Sequence, residues 1–310
     1  MASSQSTIAK LRSLVSDPGA QAEYATTLLR PRQTRDLLLA ALDVLAAHPL
    51  EDARQPLLDV YDTYQRAGSA RDPGAFTRRA ILAALRPLAT PADLPLILDA
   101  VDAYEFLPPD FKEDAILLRA SALVILNEQD DLLARYHAAR LLVDPYVDPM
   151  SGEPSLSAVR VLASQAEYVS LYQYAMQPAG RTLPEVVSEC LRNLVGMPET
   201  LIPGILKHFA EREEAIVQVG LVDLALGYPD LHEVTDYVAE ALVSSTDLDA
   251  YRYLTMSLIT SRNSQFIDQL LMAARFERNP HRAAILRDAL DLLGPSRDAD
   301  QARAQLNNLR

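Results

Sequence analysis

Tyrosine, histidine and arginine side chains concentrate in the middle of the chain, at spacings that suit a binding surface. Tyr136 and Arg140 are four residues apart with His137 between them, and Tyr168 and Tyr172 are also four apart. Residues four apart in a helix share one face, and tyrosine and arginine often anchor interfaces. These five residues form the candidate partner-binding surface if both faces line one concave side. The alternative is that the tyrosines fill gaps between helices while their hydroxyls reach water.

Residues for nucleophilic catalysis are present but not arranged for it. Such catalysis requires a Ser or Cys nucleophile that lies close to a His and to an acid that orients the His. Three of the five histidines, His48, His208 and His281, lie at predicted helix ends, where capping and dipole roles are favoured. Cys190 lies on an apolar stripe, which predicts a buried structural thiol. We therefore expect no catalytic residue.

Three carboxylates in one loop, Asp144, Asp148 and Glu153, could in principle hold a hard cation. Their spacing does not match an EF-hand, which needs ligands at alternate positions around a central glycine. The glycines are isolated and form no phosphate-binding loop. The sequence therefore predicts neither a metal site nor a cofactor.

A helix-pair unit that recurs every 30 to 40 residues would position these side chains. Its clearest copy, residues 72–104, contains two apolar-periodic segments separated by Ala89-Thr90-Pro91. Neither helix alone can bury its apolar stripe, but a stack of pairs buries a continuous core. Strand-like alternation is missing. We predict an all-α fold, a superhelix of antiparallel helix pairs, in which residues 1–310 form one domain of eight to nine pairs with an irregular loop at 144–155.

Local signals refine two of the helix boundaries. The apolar periodicity predicts a helix over residues 112–126. Thr182 and Glu185, three residues apart, predict a capping box at the start of a later helix.

Two segments resemble the HEAT-like repeat, whose second helix opens with an acidic turn followed by an apolar-Arg pair and small residues. One is Asp72-Pro73-Gly74-Ala75-Phe76-Thr77-Arg78-Arg79-Ala80, and the other is Glu153-Pro154 with Ala158-Val159-Arg160. No arginine occupies the matching position in residues 183–195. The resemblance implies a right-handed α-solenoid of HEAT or armadillo type that presents a concave surface to a partner.

Two enzymatic branches of HEAT-like proteins supply the alternative function. DNA-repair glycosylases of this type use a basic surface with tryptophan and a catalytic aspartate, whereas this chain has no tryptophan and an acidic balance. Bilin lyase subunits share the alternation of helices, and no active-site residue carries over from them. An enzyme or enzyme subunit of lyase or glycosylase type remains the alternative.

Charge and composition limit the partners. The net charge is −13, and residues 101–200 carry 7 basic against 15 acidic side chains. This balance argues against a nucleic-acid or anionic-membrane binder; it fits a basic partner, or simple solubility. One cysteine, no apolar signal-type start and no apolar stretch of about 20 residues lead us to expect a cytoplasmic protein. We predict a non-catalytic scaffold that binds a protein or peptide.

Overall fold

The protein is all-α, as the sequence predicts. The computed structural model describes residues 4–212, 214–294 and 297–307, and these contain eighteen α-helices. The β-strands among them are two residues long, Phe106–Leu107 (β1) and Lys112–Glu113 (β2). No helix in the described part of the chain is long and apolar enough to cross a membrane.

The chain forms two compact units, Met1–Gln165 and Ala166–Arg310. In the first unit, each odd-numbered helix packs against the next odd-numbered one, so α3 contacts α5, α5 contacts α7, and α7 contacts α9. The helices of this unit are α1 Ser4–Ser13, α2 Pro18–Thr27, α3 Arg35–Ala47, α4 Arg54–Ala67, α5 Phe76–Leu85, α6 Leu94–Val101, α7 Ile116–Gln129, α8 Asp131–Leu142 and α9 Ser155–Ser164.

The second unit repeats this neighbour-to-neighbour packing. Here α11, α13, α15 and α17 contact in succession, and so do α12, α14, α16 and α18. Its helices are α10 Tyr168–Ala175, α11 Pro184–Arg192, α12 Ile202–Phe209, α13 Ala215–Leu226, α14 His232–Ser244, α15 Leu248–Thr260, α16 Ser264–Phe276, α17 Pro280–Leu290 and α18 Arg297–Asn307. The prediction that residues 1–310 form one solenoid stays a prediction.

The core of each unit is built from aliphatic side chains at helical spacing. In α5, for example, Ile81, Leu82 and Leu85 are fully buried. The sequence-predicted pair over residues 72–104 is confirmed, since α5 and α6 lie within it. The irregular loop at 144–155 is confirmed as well, because α8 ends at Leu142 and α9 begins at Ser155.

Two local predictions are wrong. The helix expected from residue 112 begins at Ile116, because the preceding residues form a hairpin in which Phe106 pairs with Glu113. The capping box expected at Thr182 and Glu185 does not form; Leu183 is the N-cap residue of α11 and gives no side-chain cap. A capping box forms instead at Thr90 and Asp93, where each side chain bonds the other residue's backbone.

Candidate functional site

Arg140, in the last turn of α8, turns its guanidinium toward the end of α6. Nη2 donates to the Val101 carbonyl at 3.1 Å and to the Asp102 carboxylate, and Nη1 donates to the Tyr104 hydroxyl at 2.9 Å. Val101 is the last residue of α6, so Arg140 places positive charge at a helix C-terminus, where it is favourable. Its contacts therefore connect two helices of the first unit.

His137 lies beside Arg140 and the same aspartate. Its Nδ1 is 3.3 Å from Arg140 Nη2 and 3.5 Å from Asp102 Oδ1. Burial lowers the pKa of His137 from its ordinary value of 6.5; Asp102 opposes that shift and Arg140 adds to it. The imidazole is thus biased toward its neutral form.

Tyr136 differs from its two neighbours, because its side chain is 70% exposed. Its side chain takes no part in the Arg140 contacts described above. The sequence-predicted group of Tyr136, His137 and Arg140 thus divides into one exposed side chain and two that interact with each other and with Asp102.

Tyr168 and Tyr172 lie one turn apart on α10, in the second unit, and both are half-buried. The Tyr168 hydroxyl is 3.0 Å from where a Cβ would stand on Gly196, whose φ is +102°. Tyr168 therefore packs against backbone that only glycine leaves open. Because the predicted surface joins residues of both units, its existence as one patch remains a prediction.

Cys190 is fully buried in α11, as the sequence predicts. Burial raises the pKa of its thiol. The thiolate, which is the reactive form, is therefore disfavoured.

The loop carboxylates have separate partners. Asp144 accepts hydrogen bonds from the Tyr104 hydroxyl and the Tyr146 backbone, each at 2.8 Å, while Glu153 accepts from Ser157 N at 3.1 Å. Bonding to Ser151 lowers the pKa of Asp148. Within the described residues, no group of three or more His, Cys, Asp or Glu could hold a metal ion.

Sequence reasoning missed a buried charge cluster around Arg78. Its Nε lies 3.2 Å from Asp72 Oδ2, and its Nη2 lies 2.8 Å from Glu105 Oε2. Asp72 also accepts from the backbone N–H groups of Thr77 and Arg78, at 2.8 and 3.0 Å, and so closes the N-terminus of α5. Asp72 therefore serves both as a cap and as the counter-ion of a buried arginine.

A second cluster of the same kind surrounds Arg119 on α7. Nη1 lies 2.9 Å from Glu113 Oε1, Nε lies 3.4 Å from Asp144 Oδ2, and the guanidinium stands 4.0 Å from the Tyr104 ring centroid. Glu113 and Arg119 each follow Asp72 and Arg78 by 41 residues. That repeated spacing is the signal in the sequence that could have revealed both clusters.

The second unit contains a groove of about 670 Å³ bordered by α12, α13, α14 and α15. Buried Phe209, Val222 and Leu254 supply apolar lining. Its ionisable lining contains five carboxylates and two cations, namely Glu211, Glu233, Asp236, Glu240, Asp247, Lys207 and Arg212.

Three of these carboxylates form a stripe along α14. Glu233, Asp236 and Glu240 are three and four residues apart and are all exposed, so they follow one side of the helix. Tyr237 lies beside them; its hydroxyl donates to Gln218 Oε1 at 3.0 Å, and burial raises its pKa. Of the two cations, Arg212 is paired with Glu214, because Arg212 Nε donates to Glu214 Oε2 at 2.8 Å. The groove therefore carries an excess of negative charge.

Comparisons of the chain with protein families, with curated proteins and with solved structures found no match. The resemblance of Asp72–Ala80 and of Glu153–Arg160 to HEAT-like repeats therefore stays a prediction, and the function must be argued from the geometry.

Proposed function

We propose that this protein is a non-catalytic α-solenoid scaffold of HEAT-like type that binds a basic segment of a partner protein in the α12–α15 groove. The observation that carries the proposal is the combination of an apolar lining with five carboxylates against two cations. A peptide can bury aliphatic side-chain stems on such a floor while its ammonium or guanidinium groups reach the carboxylates.

The neighbour-to-neighbour helix packing within each unit supports the scaffold part of the proposal, because stacked helix pairs form extended surfaces. The net charge of −13 supports the choice of a basic partner, since it attracts cationic segments from a distance. The exposed Tyr136 remains a further proposed contact, in the first unit.

The test removes the carboxylate stripe without changing side-chain size. We expect the triple variant Glu233→Gln, Asp236→Asn and Glu240→Gln to bind a labelled lysine- and arginine-rich peptide at least about tenfold more weakly, as measured by fluorescence anisotropy. All three residues are exposed, so the fold is expected to persist.

A matched control separates the groove from the total charge. Glu23→Gln, Asp43→Asn and Asp52→Asn remove the same charge from exposed positions in the first unit. If both triple variants lose affinity equally, the attraction comes from net charge alone and the groove proposal is wrong. A wild-type protein that does not bind the peptide would also contradict it.

A further inference from the structure

Five exposed arginines lie in two segments of the first unit, residues 30–35 and 71–79, and none of them has a carboxylate partner among the described residues. They are Arg30, Arg32, Arg35, Arg71 and Arg79. Among the described residues, no ion pair joins any of these guanidinium groups to an acid, whereas Arg78, Arg86 and Arg140 all have one. The chain has 42 acidic and 29 basic residues, so five unpaired arginines in one region are unexpected.

Two contacts bring these arginines into one patch. Arg71 donates to the carbonyl of Pro31, which lies between Arg30 and Arg32 in the chain, and its guanidinium stands 4.5 Å from the Tyr64 ring centroid. Arg35 stands 5.4 Å from the Phe76 ring centroid. The segments 30–35 and 71–79 are therefore adjacent. We call the five arginines and Phe76 the arginine patch.

Phe76 supplies the apolar centre of the arginine patch. Its side chain is 50% exposed, and its ring folds back over Gly74, where an added Cβ would lie 2.3 Å from Phe76 Cε2. Gly74 has a φ of +75°, which glycine adopts without strain. Arg79 follows Phe76 by three residues on α5 and shares its face. A large aromatic side chain is thus displayed among positive charges.

Nearby acids do not neutralise the patch. Asp36, which directly follows the first segment, is one exposed acid beside five arginines, while Asp72 is buried against Arg78. Like charges held together at a surface repel one another, so the arrangement lowers stability unless a ligand supplies the opposite charge. The planar fork of arginine matches a carboxylate in two parallel hydrogen bonds.

We propose that the arginine patch binds an acidic segment of a partner polypeptide that places a large apolar side chain against Phe76. A nucleic acid would also meet the arginines, but its phosphate backbone extends beyond the patch over a protein of net charge −13, which repels it. A short acidic peptide contacts the patch alone. This proposal is independent of the groove on the second unit, which attracts the opposite charge.

The experiment measures the affinity of a short labelled peptide, in which glutamates surround one central phenylalanine, by fluorescence anisotropy at low and at about 0.15 M salt. We expect wild-type protein to bind it, with affinity that falls as salt rises. The variant Arg32→Ala with Arg35→Ala should bind at least about tenfold more weakly. Phe76→Ala should weaken binding while leaving the salt dependence unchanged.

Arg252→Ala with Arg275→Ala serves as the matched control, because it removes the same charge from exposed arginines that have acidic partners. It should change the affinity less than about twofold. Circular dichroism checks that each variant is folded. The groove triple variant should bind the acidic peptide like wild type, so the two proposals fail separately.

Three results would overturn the proposal. First, the control variant could lose as much affinity for the acidic peptide as the variant Arg32→Ala with Arg35→Ala, which would assign binding to net charge. The wild type could fail to bind the acidic peptide. Finally, a single-stranded oligonucleotide of matched charge could bind more tightly than the peptide, which would make the patch a phosphate-binding surface.

Discussion

Several arginine side chains donate hydrogen bonds to carbonyl groups at the C-terminal ends of neighbouring helices. Arg140 donates to the last carbonyl of α6, Arg282 donates to the Leu242 and Val243 carbonyls near the end of α14, and Arg303 donates to the Leu290 carbonyl that ends α17. One guanidinium has five donors in a fixed plane and can satisfy several carbonyls at once. This use gives a physical reason for a chain in which 26 of 29 basic residues are arginine.

Replacing Arg119, which is fully buried, tests one of the two buried charge clusters. Arg119→Met leaves the carboxylates of Glu113 and Asp144 buried without their counter-ion, so we expect unfolding to become easier by about 3–5 kcal/mol. Urea denaturation measures the change.

Arg86→Met provides the comparison, since Arg86 forms an exposed pair with Glu128. Its loss should cost less than about 1 kcal/mol. Equal losses in the two variants would show that burial of the Arg119 cluster adds nothing.

His137 predicts a specific pH dependence. Its folded-state pKa lies below 6.5, so as the pH falls below 6.5 the unfolded chain binds a proton that the folded protein does not yet bind. Stability is therefore lost across the window from 6.5 down to the lower folded-state pKa. His137→Gln removes this contribution, so wild type should lose more stability than the variant between about pH 7 and pH 5. A constant difference across that range would refute the assignment.

At the scale of helices, α11 and α13 approach so closely that their contact depends on glycine. A Cβ on Gly220 would lie 2.6 Å from the Ser188 carbonyl oxygen and 2.8 Å from Ser188 Cα. These are backbone atoms, so the clash cannot be relieved by rotating a side chain.

Gly220→Ala should therefore destabilise the protein by about 1–3 kcal/mol, although alanine is the better helix former. The control is Gly204→Ala on α12, where nothing lies within 4 Å of the added methyl group. That variant should be neutral or more stable by up to about 1 kcal/mol. Urea midpoints of the two variants that shift in the same direction would contradict the close approach.

The sequence predicted elements well where apolar periodicity was unbroken. α5 and α6 both lie within the predicted pair over residues 72–104. The predicted start of the helix at residue 112 was wrong, because the backbone of residues 105–114 pairs across a hairpin. No side-chain pattern in the sequence indicates this hairpin. Prediction failed again at Thr182, because a hydroxyl and a carboxylate three residues apart do not determine which residue becomes the N-cap.

For the molecule as a whole, contacts between distant parts of the chain limited what the sequence could reveal about sites. The burial of Cys190 followed from its apolar stripe and is confirmed. The binding of Arg140 to Asp102 joins residues 38 apart, and that of Arg78 to Glu105 joins residues 27 apart. Such pairs depend on which helices become neighbours. The acidic stripe on α14 was readable from its spacing and was missed.

Net charge describes this protein poorly. The total of −13 conceals exposed unpaired arginines in the first unit and clustered carboxylates in the second. We therefore expect a basic and an acidic ligand at different surfaces, whereas the net charge alone predicts only the basic ligand.

The two buried arginine clusters also have a consequence for how such a chain can change in length. Because Asp72 and Arg78 recur as Glu113 and Arg119 in the same register, deleting residues 72–112 would place Glu113 directly after Arg71, where Asp72 now stands. The acid, the arginine and α7, the helix that carries the arginine, would all be retained at the junction. We therefore expect deletion or duplication of this 41-residue unit to preserve one complete acid–arginine pair at the junction.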